Sequence, residues 1–226
     1  MRTTLIVEDD KDLAELTAIH LQMAGYQTEV AHTLAKAREC LDQKEYDLVL
    51  LDEMLPDGLG SQLCQTIRDQ HTCPIIFMSC NDDSDTIITA LRSGGDDYMV
   101  KPLNYEVLLA RADAVIRRSA AQRPHGAGHL RHFRHFAIDE TRRQLVREGT
   151  AVELSSIEYA LLQYMIQHPN TLLLYHDLYQ NVWSSDSLGD VRTVMVHISN
   201  LRKKLDPDRI GIISTVRNAG YIFSDL

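Results

Sequence analysis

With 226 residues, a mass of 25.7 kDa, 44% hydrophobic and 24% charged residues, the chain has room for two domains or one large one. No apolar run approaches the roughly 20 residues of a membrane helix, and the opening MRTTLIVEDD, acidic at positions 8 to 10, is not a signal peptide. Cys40, Cys64, Cys73 and Cys80 all fall in the first half without a CxxC pair, so a reduced cytoplasmic protein is expected and a disulfide framework or zinc site is not.

The net charge of −9 is unevenly spread. Residues 1–118 hold 11 Lys+Arg against 21 Asp+Glu, a balance of −10, and residues 119–226 hold 12 against 11, a balance of +1. An acidic half joined to a near-neutral one with a basic stretch argues for two modules.

Along the first 118 residues, apolar runs alternate with amphipathic segments. The runs at 4–7, 27–30, 46–52, 74–79 and 97–100 read as strands, and 11–24, 34–44, 60–70, 84–93 and 105–118 as helices. YDLVLLD and PIIFMS are almost continuously apolar, as in strands buried on both faces of a parallel sheet. Five β–α units in succession predict a doubly wound α/β domain with a five-stranded parallel sheet over 1–118. SAAQRPHGAGHL, at 119–130, reads as a linker. Over 131–226, short alternating runs (HFAI, QLVR, AVEL) predict a small antiparallel sheet. Three helices follow, near 155–168, 175–183 and 190–205, the first opened by the capping box Ser155-Ser156-Ile157-Glu158. Two short strands, IIST and YIFS, close the chain. Sheet, three helices and a hairpin is the order of an α+β winged helix-turn-helix.

Sites in open parallel sheets form at the carboxyl ends of the strands. Here those ends carry Glu8-Asp9-Asp10, Asp52, Ser79 and Lys101-Pro102. Clustered carboxylates repel one another unless a hard divalent cation, Mg²⁺ or Mn²⁺, joins them. Such a set suits phosphoryl transfer onto a carboxylate, with Asp52 as nucleophile, Lys101 holding a phosphoryl oxygen and Ser79 donating to another.

LIVEDD, LVLLDEMLPDGLG, PIIFMSC and GGDDYMVKP stand where receiver-domain motifs stand, and the chain resembles two-component response regulators of the OmpR/PhoB type over essentially its whole length. The resemblance implies that Asp52 is the phosphoacceptor. Asp9, Asp52 and the backbone carbonyl of Met54 would bind the metal, with Glu8 assisting through water, and Ser79 and Tyr98 would form the switch pair. Two residues depart from the family. Cys80 replaces a small residue, and Glu53 stands where an apolar one is usual: an extra carboxylate beside the anionic product would slow phosphorylation, whereas strand alternation lets it point away. The resemblance also implies that activated receivers pair through the fourth helix, fifth strand and fifth helix. By position the partners are Asp97 with Arg111, Arg92 with Asp113 in exchanged sense, and the apolar Ile87 and Val107, a complementary set that avoids pairing with paralogues.

In DVRTVMVHISNLRKKL, Val191, Val194, Ile198, Leu201 and Leu205 recur as one apolar helical face, and Arg192, Val196, Ser199, Asn200 and Lys203 fall opposite. That opposite face suits the major groove. Asn200 matches adenine and Lys203 guanine or phosphate, and Arg192, Arg202 and Lys204 suit the phosphate backbone. TVRNAGYIF and RTVMVHISNLRKKL resemble the family's wing and recognition helix, which implies that Arg217 enters the minor groove. The expected DNA-contacting set is Arg192, His197, Ser199, Asn200, Arg202, Lys203 and Arg217. Met195 occupies a place usually acidic and Asn218 one usually Gly. His125, His129, His132 and His135 share no face and no nearby Cys, and read as a His-rich linker and strand.

The expectation is a cytoplasmic DNA-binding transcriptional regulator, phosphorylated on Asp52 by a sensor histidine kinase, dimerising and binding double-stranded promoter DNA beside RNA polymerase. No membrane partner is expected, nor any enzyme activity beyond its own phosphoryl transfer and dephosphorylation. The alternative is a constitutively dimeric, phosphorylation-independent regulator, which Glu53 and the Ile87/Val107 pair favour. A haloacid-dehalogenase-like phosphohydrolase needs a second Asp where Met54 stands, and a nucleotide-dependent oxidoreductase needs glycines absent from EDDKDLAE.

Overall fold

Two wholly buried strands, 48–52 and 75–79, with polar groups only at their carboxyl ends, organise the first half of the molecule. The computed structural model describes residues 2–70, 73–120, 130–183 and 191–224, and the chain divides into two compact units, Met1–Arg117 and Arg118–Leu226. The elements run β1 (Arg2–Val7), α1 (Lys11–Met23), β2 (Tyr26–Ala31), α2 (Leu34–Gln43), β3 (Leu48–Asp52), β4 (Met54–Leu55), β5 (Gly58–Leu59), α3 (Gly60–Gln70), β6 (Ile75–Ser79), α4 (Ser84–Arg92), β7 (Asp97–Val100) and α5 (Tyr105–Ala120).

The parallel sheet has the order β2-β1-β3-β6-β7. Every residue of β3 and β6 is buried, which accounts for the unbroken apolar runs in their sequences. The chain leaves β1 for β2 on one side and returns to β3 on the other, so the crevice at the carboxyl ends of β1 and β3 is the topological switch point. The pairings Val7↔Leu51, Asp52↔Met78 and Ser79↔Val100 bring the polar strand ends to that edge. Ile6, Leu50, Ile76, Met78, Leu108 and Val115 pack in one cluster of the core. The four aliphatic residues among them that are fully buried contribute about 1.5–3 kcal/mol each. Asp10, Thr33 and Asp83 cap α1, α2 and α4 by accepting backbone amide hydrogen bonds in the first turn.

The second unit continues with β8 (Leu130–His132), β9 (Ala137–Asp139), β10 (Gln144–Arg147), β11 (Thr150–Glu153), α6 (Ser156–Gln167), β12 (Leu172–Leu174), α7 (Tyr175–Trp183), α8 (Val191–Leu205), β13 (Ile213–Val216) and β14 (Gly220–Phe223). A four-stranded antiparallel sheet, β11-β10-β9-β8, precedes the helices, and a three-stranded one, β12-β14-β13, closes the unit. Its core gathers Trp183, Phe223, Leu161, Leu162, Val194, Ile198 and Leu201. The capping box is present in full: Ser155 Oγ accepts from the Glu158 amide and Glu158 Oε2 accepts from the Ser155 amide at 2.7 Å.

Three short features were not expected from the sequence. The two-residue hairpin β4–β5 follows Asp52, β8 begins inside the segment read as linker, and β12 pairs with β14. Strands of two or three residues carry too few side chains for alternation to show. Strand β12 also depends on a partner far along the chain: a Cβ at Gly220 would lie 1.9 Å from the Leu173 carbonyl oxygen, so only glycine admits that contact. Of the His-rich set, His125 and His129 lie outside the described residues, and His132 and His135 lie apart on β8 and the loop after it.

Candidate acidic pocket and candidate nucleic-acid interface

Burial at the switch point is what gives the acidic cluster its chemistry. Glu8 and Asp52 are buried and Asp9 is exposed; each offers an oxygen, and these lie within 4.8 Å of one another. Asp10 stands apart because its carboxylate is used as the cap of α1. Lys101, in the turn after β7, reaches across to donate to Asp52 Oδ2 at 2.5 Å and lies 2.7 Å from Glu8 Oε2. Burial, opposed by Lys101 and reinforced by the charge on Asp52, pushes Glu8 up to about 7. Burial disfavours the Lys101 ammonium, but its bonds to Asp52 and Glu8 outweigh that and hold it above the ordinary lysine range. The Met54 amide donates to Asp52 Oδ1 at 3.0 Å, which brings the Met54 main chain against the carboxylate. The donor set, all oxygen with one exposed side, fits a hard divalent ion that keeps water.

Ser79 is buried at the end of β6, where its Oγ accepts from the Asn81 amide at 3.2 Å. Tyr98 is buried too, and its hydroxyl donates to the Asn81 carbonyl at 2.7 Å. Asn81 therefore joins the two expected switch residues, a role nothing in its sequence context signalled.

Glu53 turns away from this pocket. Buried at 4% exposure, it accepts from the Ser61 amide at 3.0 Å and from Ser61 Oγ at 2.8 Å, at the start of α3. Burial first, and to a smaller degree the charge on Asp52, raise its carboxyl above the usual range despite those two bonds. Cys80 is exposed.

In the second unit, α8 is buried on more than one side. Val194, Ile198, Leu201 and Leu205 enter the core as expected, but Val191 is 41% exposed. Val196, assigned to the outward face, is 4% exposed, and His197, expected among the DNA-contacting residues, is 3% exposed, its ring 5.6 Å from that of Trp183. His197 is thus corrected from a DNA-contacting residue to an interior one: its imidazole is turned inward beside the indole. Lys203 is exposed, and Arg192, Ser199 and Asn200 are half-buried along the same outer line. Lys204 folds back, donating to Glu158 Oε2 at 2.6 Å. Arg202 is bound as well, donating to the Ile213 carbonyl at 3.0 Å and to Thr215 Oγ1 at 2.7 Å. Arg217 is exposed in the turn between β13 and β14, beside Asn218, whose φ of 58° is one that asparagine tolerates. A hollow of about 570 Å³ at the end of α8 is lined by Ser199, Arg202, Lys203 and Arg209 among others.

Residues 4–113 match the family model of the response regulator receiver domain, and residues 149–223 that of the transcriptional regulatory protein C-terminal domain. The chain is 36% identical over 220 residues to the transcriptional regulatory protein TrcR of Mycobacterium tuberculosis, covering 96% of this chain and 85% of that one. The chain is an OmpR/PhoB-type response regulator. Among solved structures, the response regulator is similar to DrrB, a Thermotoga maritima OmpR/PhoB homologue (26% identity, TM-score 0.52, 99% of each chain), and to a mutant of RitR (26% identity, TM-score 0.74, the whole of each chain). It therefore pairs a receiver with a DNA-binding domain, and among the described residues no helix is long and apolar enough to cross a membrane.

The six positions carried over as a pairing surface are not a row of exposed partners in this response regulator. Asp97 and Arg111 are buried and paired with each other within the chain at 3.0 Å. Ile87 is 1% exposed, and Val107 packs against the receiver core. Asp113 accepts from the Tyr26 hydroxyl at 2.6 Å and pairs with Arg2. Arg92 alone of the charged four is exposed without such a tie.

Proposed function

We propose that the response regulator accepts a phosphoryl group on Asp52 from a sensor histidine kinase, and that this modification promotes receiver pairing and binding to promoter DNA. The observation that carries the reading is the Lys101 ammonium held between Asp52 and Glu8 at the switch point. An Asp52 carboxylate oxygen attacks phosphorus, the bond from phosphorus to the kinase imidazole breaks, and the imidazole leaves with the electron pair. Lys101 holds one phosphoryl oxygen and the Ser79 hydroxyl donates to another. Glu8, Asp9, Asp52 and the Met54 carbonyl would hold Mg²⁺ or Mn²⁺, which when bound offsets the charge of the carboxylates and the incoming group. The chain does no other chemistry than this transfer and the later hydrolysis.

Arg192, Ser199, Asn200 and Lys203 on α8 face the major groove and Arg217 the minor groove, with two copies on neighbouring half-sites in the cytoplasm, beside RNA polymerase. Support comes from the outward line on α8 and the exposed arginine of the hairpin. The phosphorylation-independent alternative drew on Glu53 and the Ile87/Val107 pair; what weighs against it is that Glu53 is bound to Ser61 and Ile87 is buried within the receiver.

Incubation with acetyl phosphate and Mg²⁺ followed by intact mass tests the first half: one added phosphoryl group in the wild type and none in Asp52→Asn is expected. Selection of duplexes from a random pool, with and without the donor, tests the second half. Equal enrichment in both conditions would return the case to the alternative.

A further inference from the structure

Helix α8 carries four cationic side chains, Arg192, Arg202, Lys203 and Lys204, and two of them, Arg202 and Lys204, are held by other parts of the unit. Lys204 is tied to the capping box of α6. Arg202 is the more consequential, because among the described residues the partners of its side chain lie on the strands that flank the exposed turn. Its Nε donates to the carbonyl of Ile213, the first residue of β13, and its Nη2 donates to Thr215 Oγ1, two residues before Arg217. The guanidinium carbon sits 5.1 Å above the centre of the Tyr221 ring on β14. Tyr221 is 4% exposed and is met edge-on by Tyr175 at 5.5 Å. The other side of the turn is held as well: the Tyr175 amide donates to the Ala219 carbonyl at 3.1 Å, and the Ala219 amide to that of Val216 at 3.1 Å.

We propose that Arg202 is a positioning residue that fixes the β13–β14 hairpin to α8 and so sets where Arg217 meets DNA, and that it is not itself a phosphate contact. This rests on the DNA-binding role given above to α8 and Arg217. The geometry uses the features that distinguish arginine from lysine. A planar fork serves two acceptors at once while its face lies on an aromatic ring; a lysine at 202 would keep the charge and lose the fork. Asn200 and Lys203, on the same helix, need no such support, because the helix alone sets their direction. Arg217 sits on a two-stranded projection, and small rotations at its base move the tip furthest.

The test is a double-mutant cycle in the full chain, on a duplex enriched from a random pool, with affinity measured across a salt series. Arg202→Met and Arg217→Ala are each expected to raise Kd roughly tenfold, as for one lost arginine contact. Each should also flatten the salt dependence by about 0.9 in log–log slope. Combined, the two should be little worse than either alone, since one acts through the other. Thr215→Val, which removes no charge, is expected to produce part of the same flattening. Arg202→Lys should behave like Arg202→Met. In the absence of DNA, amide hydrogen exchange at Ala219 and Gly220 should quicken in Arg202→Met while that of the α6 and α7 amides is unchanged.

Losses that add between Arg202→Met and Arg217→Ala, or a full rescue by lysine, would make Arg202 a DNA contact and overturn the positioning role. Unchanged exchange at the turn would overturn it without reference to DNA. A wild-type chain that enriches no duplex at all would instead sink the DNA-binding reading, and this role with it.

Discussion

Lys101 Nζ stands 2.5 Å from Asp52 Oδ2 and 2.7 Å from Glu8 Oε2, so one ammonium bridges two buried carboxyl groups. Without it, the two would face each other across a low-dielectric crevice. Lys101→Met is expected to lower the unfolding free energy by roughly 3 kcal/mol in the absence of divalent ions, the scale of a broken buried ion pair. Millimolar Mg²⁺ should return part of that loss. Urea midpoints with and without Mg²⁺ check both statements; equal losses in the two buffers would mean that the ion does not enter the same cluster.

Glu8 gives the pocket a pH dependence with a definite sign. Its carboxyl titrates near about 7 in the fold against an ordinary value of 4.5, so folding favours its protonated form. Its contribution to stability is therefore largest in acid, declines as pH rises from 4.5 towards about 7, and is level above that. Divalent ions compete with the same proton, so Mg²⁺ affinity is expected to climb through that range and flatten above it. Calorimetric Mg²⁺ titrations at several pH values read the effect, and Glu8→Gln should remove the climb.

Glu53 separates an interior carboxylate from a catalytic one. Glu53→Ala leaves the Ser61 amide and hydroxyl without their acceptor, at a cost of about 1–3 kcal/mol. Glu53→Gln keeps a carbonyl oxygen in reach of both and should cost far less, with any loss smallest at high pH, where the buried carboxylate is charged. Neither variant is expected to change the rate of phosphorylation by acetyl phosphate by more than about twofold. A large acceleration in Glu53→Gln would show that the Glu53 charge opposes phosphoryl transfer to Asp52.

At the expected pairing surface, Arg92 and Asp113 have different standing. Tyr26, pushed up to about 12 by burial first and by Asp113 second, should titrate lower in Asp113→Ala and unchanged in Arg92→Glu. Arg92→Glu is the variant expected to weaken phosphodonor-dependent dimers in sedimentation. If Asp113→Ala alone weakened them, the Arg2–Tyr26 tie would have to open on activation.

His197 lies beside Trp183, the chain's single tryptophan, so intrinsic fluorescence reports directly on it. His197→Ala is expected to shift that emission and to cost roughly 1–3 kcal/mol through the space it leaves. The affinity of the folded variant for DNA should stay within about twofold of wild type. A larger change would return His197 to the DNA-contacting set.

The fold was largely legible because its strongest signals are local. Buried strands with polar ends, helix caps and the capping box each fit within a few residues, and the pocket follows once strand ends are read together. What was not legible depends on pairings across the sequence: Asn81 between Ser79 and Tyr98, Ser61 under Glu53, and Arg2 and Tyr26 around Asp113. The misreading of Val196 on the outward face, and of His197 among the DNA contacts, has a different cause. The helical wheel assumed one apolar stripe on α8, whereas seven of its 15 residues are buried, Thr193 and His197 among them. A helix packed on more than one side has fewer outward positions than its polar residues suggest.

Gly60 has a mechanical consequence for Asp52. A Cβ there would fall 2.2 Å from the Asp52 carbonyl oxygen and 3.1 Å from Leu51 Cγ, and the Gly60 amide donates to the Glu53 carbonyl at 2.9 Å. The start of α3 is thus a wall pressed against the main chain of Asp52, with little slack to take up displacement. A movement that begins at the Asp52 carboxylate is therefore expected on the other side, where Ser79 ends β6 and Asn81 and Lys101 lie in the connections that follow β6 and β7, with α3 as the fixed abutment.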